Sequence, residues 1–303
     1  MEIEYSHNEK EKKSKDFTSY LLNHIEIPDL SKGVYHYTSL DALCNGIIRP
    51  NGEICLRATN VLYLNDKEEI KIGYSFIERL IEKYIAQTGN NKLYNSDSDF
   101  WEICSDYFIT SFSLERDNLP MWGMYGANAT GIALRFNDQL IKGNNHNQWF
   151  RCIYFTDSIQ KEIEEILGAE TSIDTTNDKF STAVFLFVIA LLIANNGEHF
   201  AKVIDNMTSI ITFASALKHQ AYNYENEARL LYMNPKKEEI KYRYRNNHII
   251  PYIEKFFPKE ALSEIIVGPN NDMQRTMHSI KTYLNHIGLN HVNISESKVP
   301  YRG

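Results

Sequence analysis

The stretch that decides the fold runs from Tyr222 to Tyr232 and reads YNYENEARLLY. A polar turn leads into an apolar segment typical of a core strand. Successive strand side chains point to opposite faces, so Glu225, Glu227 and Arg229 are predicted to share one face, with neighbouring carboxylates about 7 Å apart. Charged side chains on a buried strand need mutual pairing or a ligand. A solvated edge strand with a structural Glu–Arg pair is the alternative that this segment alone leaves open.

Composition limits the class of protein. The chain has 303 residues, 43% of them hydrophobic and 23% charged, which is typical of a soluble protein with a substantial core. Its net charge of −7 argues against nucleic-acid binding over the whole surface but leaves a local basic patch open. The N-terminus is charged and polar rather than a signal peptide, so a cytoplasmic protein without a membrane partner is predicted.

The cysteines and histidines give no sign of a metal site. The four cysteines, Cys44, Cys55, Cys104 and Cys152, have no metal-binding spacing, and they are predicted to be small buried residues in a reducing compartment. The ten histidines show no pattern such as HExxH. No metal is therefore expected.

The order of elements predicts an α+β fold. Strands are expected at 33–38, 53–58, 107–113, 130–136, 148–155, 225–229, 248–253, 263–269 and 291–294. Helices are expected from Ser39 as N-cap, at about 67–86, from Pro120 onward and at about 273–286. The pattern is helical throughout 159–218, which predicts an inserted helical block. Residues 1–30 are expected to be a lead-in, and 31–303 a single domain that contains the insertion.

Several motifs together resemble a widespread bacterial domain family of unknown function. The match extends over 35–302, and its most specific parts are the Pro-Met-Trp-x-x-Tyr-Gly and Glu-x-Glu-x-Arg motifs. The motifs are His36-Tyr37-Thr38, Leu64-Asn65-Asp66 with Glu69, Ser111-Phe112-Ser113, Pro120 to Gly126, Glu225 to Arg229, Ile265 to Pro269 and Pro300 to Arg302.

The first strand and the late glutamate strand are in turn similar to the ADP-ribosyltransferase superfamily. That resemblance implies a split core of short β-strands and NAD as substrate. Its first-strand His corresponds to His36, its central hydroxyl residue to Tyr37, Thr38 or Ser111, and its late Glu to Glu227. In members with Glu-x-Glu, the second Glu handles NAD and the first helps the acceptor, which implies these roles for Glu227 and Glu225.

The chemistry of NAD cleavage agrees with these residue types. The reaction passes through an oxocarbenium-like state, which a fixed carboxylate such as Glu227 stabilises, while Glu225 would act as general base on the acceptor. His36 would hold the adenosine-side ribose, and Arg229 would pair with Glu227 or hold the pyrophosphate. Aromatic side chains would stack on nicotinamide, and Tyr37, Trp122 and Tyr125 are the candidates. The alternative for His36 is a hydrogen-bonded core histidine, and Trp122 and Tyr125 would otherwise pack on the sheet.

One basic-aromatic segment and the resemblance together suggest an acceptor and a biological role. Lys241, Arg243 and Arg245 alternate with tyrosines, which is compatible with binding nucleic acid and also with an ordinary half-exposed strand. A toxin or phage-defence effector that modifies RNA or DNA, with an antitoxin as possible partner, is the hypothesis that the resemblance favours. The alternatives are an NAD hydrolase, a protein-modifying ADP-ribosyltransferase and a non-catalytic binding module.

Overall fold

The computed structural model describes residues 32–65, 70, 104–137, 148–155, 214–245, 247–269 and 272–301. The chain divides into two compact units. The larger one comprises Ile27–Tyr63, Asp106–Arg151 and Ala221–Gly303. The other comprises Met1–Glu26, Leu64–Ser105 and Cys152–Gln220, which includes the segment 159–218.

Short strands dominate the described residues. The strands are β1 (Val34–Thr38), β2 (Ile54–Asn60), β3 (Tyr107–Ser113), β4 (Ile132–Phe136), β5 (Gln148–Arg151), β6 (Ile153–Phe155), β7 (Leu217–His219), β8 (Glu227–Met233), β9 (Lys241–Arg245), β10 (His248–Phe257), β11 (Leu262–Val267) and β12 (Asn293–Glu296). The helices are α1 (Leu40–Ala42), which continues into a π-helical turn at Leu43–Ile47, α2 (Leu119–Met124) and α3 (Met273–His286). Short 3₁₀ helices occur at Val61–Tyr63, Gln220–Glu225, Lys237–Glu239 and Lys259–Ala261.

The larger unit contains a ten-stranded sheet, in the order β12-β11-β4-β1-β3-β2-β10-β9, with β8 on β3 and β5 on β8. Its pairs are antiparallel except for β11 with β12. In the other unit, β6 and β7 form a parallel pair. The prediction of an α+β fold is confirmed at this level.

Strand β3 has different partners on its two edges. One edge pairs with β8 along its whole length, from Tyr107 opposite Met233 to Ser113 opposite Glu227. The other edge is shared, because β2 pairs with its first half and β1 meets it only at Ser113. Along this edge of β3, the residues paired with β2 and the residue paired with β1 are therefore separated by a gap beside the middle of β3.

The two faces of the sheet pack differently. On one face, apolar side chains such as Phe112, Leu134 and Leu230 join α3 through Ile280 and Leu284. The other face carries a smaller cluster around Trp122 of α2, built from Tyr35, Tyr37, Met121, Ala129, Ala133 and Ile266. Helix α2 thus covers the face opposite α3.

Local sequence signals explain the helix starts. The Ser39 hydroxyl accepts from the Ala42 amide at 3.1 Å, as predicted for an N-cap. Asn118 caps α2, with Pro120 in the first turn. Asp272 caps α3, which is found where a helix was predicted, and the bounds of β3 match the prediction to the residue. No helix in the described ranges is both long and apolar enough to cross a membrane.

Four predictions about local structure were wrong. Glu225 ends a 3₁₀ helix rather than lying on the strand, which begins at Glu227. The predicted strand 148–155 is two strands separated at Cys152, and the predicted helical block ends in strand β7 rather than in a helix. Cys44 is exposed, whereas the other three cysteines are buried as expected. The predicted helix 67–86 and most of the 159–218 block lie outside the described residues.

Candidate functional site

The site begins where the 3₁₀ helix Gln220–Glu225 passes into β8. Asn226 lies between them with φ of 39°, a left-handed conformation that asparagine adopts more readily than most residues. The Leu114 amide donates to the Asn226 carbonyl at 2.9 Å, and the Ser113 hydroxyl donates to the Glu225 carbonyl at 2.7 Å. The end of β3 therefore fixes the backbone of this turn.

Glu225 is held by a tyrosine from α2. The Tyr125 hydroxyl donates to Glu225 Oε1 at 2.7 Å, and Glu225 is only 3% exposed. Tyr125 is the C-cap residue of α2, so the helix sets the position of this donor. The structure thus shows Tyr125 acting through its hydroxyl group, a contact that the sequence did not predict.

Glu227 and Arg229 form a bidentate pair. Arg229 donates from Nε to Oε1 and from Nη2 to Oε2 of Glu227, each at 2.9 Å. Both side chains are buried, with 1% of Arg229 and 5% of Glu227 exposed. The planar fork of a guanidinium matches a carboxylate in this geometry and gives a strong charge-assisted contact. The predicted shared face of Glu227 and Arg229 is therefore observed, and the two charges compensate each other.

Polar side chains surround the Asn226 turn. Arg151 Nη2 of β5 donates to Asn226 Oδ1 at 3.0 Å, and Asn226 Nδ2 donates to Glu115 Oε1 at 2.8 Å. Each of these three side chains is at least partly exposed. Partly exposed hydrogen-bond donors and acceptors thus lie beside the turn that carries the two buried glutamates.

The serines of β3 lie across from the charged pair. Ser111 is opposite Arg229 and Ser113 is opposite Glu227, and directly opposed side chains of an antiparallel pair lie on the same face. Ser113 uses its hydroxyl within the fold, since it also accepts from the Glu115 amide at 3.0 Å. Ser111 is half-buried and is the hydroxyl of β3 that stands beside Arg229.

His36 and Thr38 lie on the other face. Tyr35 of β1 is opposite Ser113, so the alternation of β1 places Tyr35 and Tyr37 on the face of Glu227, and His36 and Thr38 on the reverse. His36 Nδ1 lies 3.2 Å from the Ser111 carbonyl oxygen, which requires the proton on Nδ1 because a carbonyl only accepts. The fold brings His36 to the backbone of Ser111 and away from the glutamates.

The surroundings of His36 favour its neutral form. Its ring meets the edge of Phe112, with 6.0 Å between centroids. Burial lowers the pKa of the imidazole below its ordinary value, and the hydrogen bond to Ser111 opposes this only in part. At neutral pH, His36 is therefore an uncharged hydrogen-bond donor beside the gap between β1 and β2.

Tyr37 and Trp122 are engaged with each other. Their rings meet edge to face at 4.8 Å between centroids, and Trp122 is fully buried. The Tyr37 hydroxyl donates to the Glu115 carbonyl at 2.9 Å and accepts from the Asn118 amide at 3.2 Å. Burial raises the pKa of Tyr37 above the ordinary range. Trp122 packs on the sheet, which is the alternative to a stacking wall.

Asp117 is a residue that the sequence did not single out. It accepts from Trp122 Nε1 at 2.7 Å, from the Ser297 hydroxyl at 2.6 Å and from the Lys298 amide at 2.6 Å. It thus joins α2 to the segment after β12 and steadies the helix that carries Tyr125. Asn118, whose Nδ2 donates to the Tyr224 carbonyl at 3.0 Å, ties the same helix to the glutamate turn. The only signal for Asn118 is its position before Pro120, which is typical of an N-cap.

Among the described residues, no group of three His, Cys, Asp or Glu side chains is arranged to bind a metal ion. The site as described is a pair of buried carboxylates, with Arg229 bound to Glu227 and Tyr125 to Glu225, and with partly exposed polar side chains beside them.

Comparison with known families matches part of the chain. Residues 121–230 match the family described as "Protein of unknown function (DUF2971)". The matched segment contains Trp122, Tyr125, Glu225, Glu227 and Arg229, so it includes both buried glutamates and their donors. No curated protein and no solved structure matches the chain. Over this segment the resemblance to a family of unknown function is confirmed.

Proposed function

We propose that this protein is an NAD-dependent mono-ADP-ribosyltransferase that modifies nucleic acid, with Glu227 and Glu225 as its catalytic residues. The observation that carries the proposal is the pair of buried carboxylates on either side of Asn226. Arg229 donates to Glu227, and Tyr125 donates to Glu225. Buried carboxylates with fixed orientations are suited to electrostatic and acid–base work.

Glu227 suits the transition state of NAD cleavage. The bond between nicotinamide and C1′ of the ribose breaks, nicotinamide leaves with the bonding electrons, and positive charge develops on the sugar. A carboxylate held in position by Arg229 would stabilise that charge without reorganising. In this role Arg229 acts through Glu227. In its second proposed role, the guanidinium of Arg229 would instead bind the pyrophosphate of NAD.

Glu225 is the candidate base for the acceptor. An acceptor hydroxyl or amine forms its new bond to C1′ and loses its proton to the Glu225 carboxylate. The Tyr125 hydroxyl orients that carboxylate, and Asn226, Glu115 and Arg151 offer polar contacts to the incoming group. This division assigns cleavage to Glu227 and transfer to Glu225.

The remaining proposed NAD contacts divide between the two sides of the sheet. Ser111 and Tyr37 share the face of Glu227, and they are the candidates for the nicotinamide ribose and the ring. His36 and Thr38 would hold the adenosine-side ribose only if the dinucleotide passed through the gap where β1 and β2 part. A cytoplasmic toxin or phage-defence role, with an antitoxin partner, belongs to the same proposal.

A non-catalytic binding module is the second candidate, and specific contacts favour it. Arg229 occupies both carboxylate oxygens of Glu227, and His36 lies on the opposite face of the sheet. A module that binds NAD without cleaving it would be stabilised thermally by NAD while releasing no nicotinamide.

The experiment is incubation with NAD labelled in its adenosine part, with total RNA and DNA in one tube and a proteome extract in another. Label that moves to nucleic acid and is lost in Glu227→Gln supports the proposal. Glu260→Gln, an exposed glutamate beyond β10, is the matched control and keeps wild-type transfer. Label on proteins identifies a protein-modifying transferase, and free ADP-ribose without an adduct identifies an NAD hydrolase. Untouched NAD in every tube contradicts all three.

A further inference from the structure

A second feature of the larger unit is a row of arginines on β2 and β9. In the register of the sheet, Tyr252 of β10 is opposite Thr59 of β2 and Lys241 of β9. Arg57, two residues from Thr59, therefore shares a face with Arg243 and Arg245, which follow Lys241 at steps of two. We call Arg57, Arg243 and Arg245 the cationic strip.

One carboxylate lies among these cations, and its strongest contacts are with neighbours of the strip. Glu254 Oε1 lies 2.8 Å from Arg49 Nη2, and Glu254 Oε2 lies 2.7 Å from Lys241 Nζ. The distance from Glu254 Oε1 to Arg57 Nε is 4.0 Å. Burial alone would raise the pKa of Glu254, but hydrogen bonds from Lys241 and Arg49 outweigh burial and lower it. Glu254 is thus ionised and already engaged, and the strip retains a surplus of positive charge.

Arg243 shows that surplus most clearly. Its Nη2 donates to the Thr59 hydroxyl at 3.0 Å, and its buried Nε has no hydrogen-bond partner among the described residues. The pKa of Arg243 is lowered, first by burial and then by repulsion from Arg245 and Arg57. Three like charges are therefore held together by the fold, which costs free energy unless an anion offsets it.

Aromatic rings accompany the strip on the same face. The Tyr252 ring lies between two guanidinium groups, 5.0 Å from Arg57 and 5.8 Å from Arg243. Phe256, four residues along β10, is 51% exposed, and Arg49 stands 5.8 Å from its ring. Of these two rings, Tyr252 is buried and Phe256 is exposed. Cations beside an exposed ring are typical of sites for single-stranded nucleic acids, where phosphates are neutralised and bases stack.

We propose that the cationic strip binds the phosphate backbone of a single-stranded nucleic acid, with Phe256 as a stacking platform for a base. Alternate strand residues stand about 7 Å apart, a repeat on the scale of successive phosphates in an extended strand. The chain as a whole carries a net charge of −7, so a polyanion would be attracted to a local cluster of positive charge such as the strip.

The opposite face of β9 and β10 argues against an anionic membrane as the occupant. Tyr242, Tyr244 and Ile249 are exposed there, at 64%, 73% and 69%. A membrane-binding surface presents apolar and basic side chains to the same interface. Here, burying those three side chains in a bilayer would turn the strip away from it.

The structure also corrects the residue set expected from the sequence. Lys241 is paired with Glu254 and belongs less to the strip than Arg57, which lies far away in sequence. The tyrosines that alternate with the basic residues face the other way, and Tyr252 of the neighbouring strand takes their place. This inference deepens the acceptor part of the proposed function and rests on that function only for its biological use, since binding requires no NAD.

The test is fluorescence anisotropy of labelled single-stranded RNA and DNA oligonucleotides with the full chain, without NAD. The double variant Arg57→Gln with Arg243→Gln should bind about tenfold more weakly or worse, and log K should depend less steeply on log salt, by about 0.7 per lost phosphate contact. Arg245→Gln changes an exposed side chain and should weaken binding about threefold with no effect on folding. Arg275→Gln on α3, 87% exposed, removes the same charge elsewhere and should leave affinity unchanged.

Three outcomes would overturn the proposal. One is the absence of binding at low salt by the folded wild-type chain. Another is equal affinity of the wild type, the double variant and Arg245→Gln. The third is capture by phosphatidylserine vesicles without any binding of RNA or DNA. None of these depends on NAD cleavage, so failure of this proposal is distinguishable from failure of the transferase proposal.

Discussion

The glutamate turn and the cationic strip use charge in opposite ways. In the turn, Glu227 and Arg229 are buried and satisfy each other through two hydrogen bonds at 2.9 Å. In the strip, Arg57, Arg243 and Arg245 carry the same charge and lie near the surface, with one carboxylate already engaged beside them. Paired buried charges fix a local geometry, whereas surface charges of one sign attract ligands of the opposite charge. The first region should therefore be sensitive in folding, and the second in binding.

The largest expected effect is a loss of stability when the buried pair of Glu227 and Arg229 is broken. Arg229→Met leaves Glu227 buried without its partner and should lower the free energy of unfolding by about 3–5 kcal/mol. The double variant Arg229→Met with Glu227→Leu removes both charges and should recover most of that loss. Urea denaturation measures both, with Arg275→Met on the exposed surface as the control. A loss below about 1 kcal/mol in the single variant would show that the pair is not the compensated unit described here.

A smaller effect is expected at Glu225. Tyr125→Phe removes only the hydroxyl that donates to Glu225, and should cost about 2 kcal/mol because the acceptor is a buried carboxylate. In a Glu225→Gln background the same change should cost less, because the acceptor is no longer charged. A double-mutant cycle by thermal denaturation gives the coupling. Equal costs in both backgrounds would contradict a direct contact.

In the cationic strip the effect should shift from folding to binding. Glu254→Gln should lower stability by about 1 kcal/mol, since its partners Arg49 and Lys241 are partly exposed. The same change should tighten binding of single-stranded RNA about threefold, because it removes the carboxylate nearest the arginines. Anisotropy and urea denaturation separate the two effects. Weaker RNA binding after this substitution would contradict an anion-binding strip.

The smallest expected effect is a dependence of stability on pH through His36. Burial lowers the pKa of His36 in the folded chain, so the unfolded chain binds a proton first as the pH falls. The contribution of neutral His36 to the free energy of unfolding is complete above the pKa of His36 in the unfolded chain, about 6.5. This contribution is lost as the pH falls toward the lower pKa of His36 in the folded chain. His36→Gln should therefore reduce the stability lost between pH 7 and pH 5 in urea titrations. An unchanged or larger loss would place His36 in a solvated site.

Local patterns were enough to predict some elements of the fold. The alternation of Tyr107–Ser113 predicted β3 to the residue, and a helix was predicted from about Met273 to His286, where α3 lies. The same alternation placed Glu227 with Arg229 on one face and Lys241 with Arg243 on another. Each of these predictions needs only the period of a single element.

What the sequence missed depends on pairing and on backbone turns. Asn226 lies between Glu225 and β8, and its left-handed backbone interrupts the extended conformation, so Glu225 is not part of the strand. An asparagine between the two glutamates was the available signal for such a turn. The face of His36 relative to Glu227 depends on the register of β1, β3 and β8, which are distant in sequence. The contribution of Arg57 to the cationic strip likewise depends on the register of strands that are distant in sequence.

The central claim is that the glutamate turn cleaves NAD, and nicotinamide release is its most direct test. Purified wild type, Glu227→Gln, Glu225→Gln and Glu260→Gln are followed by chromatography of nicotinamide, after thermal denaturation confirms that each is folded. We predict release by the wild type and by Glu260→Gln, a loss of about a hundredfold or more in Glu227→Gln, and continued release in Glu225→Gln with transfer to an acceptor abolished. No release by the wild type, or equal release by folded Glu227→Gln, would contradict the claim.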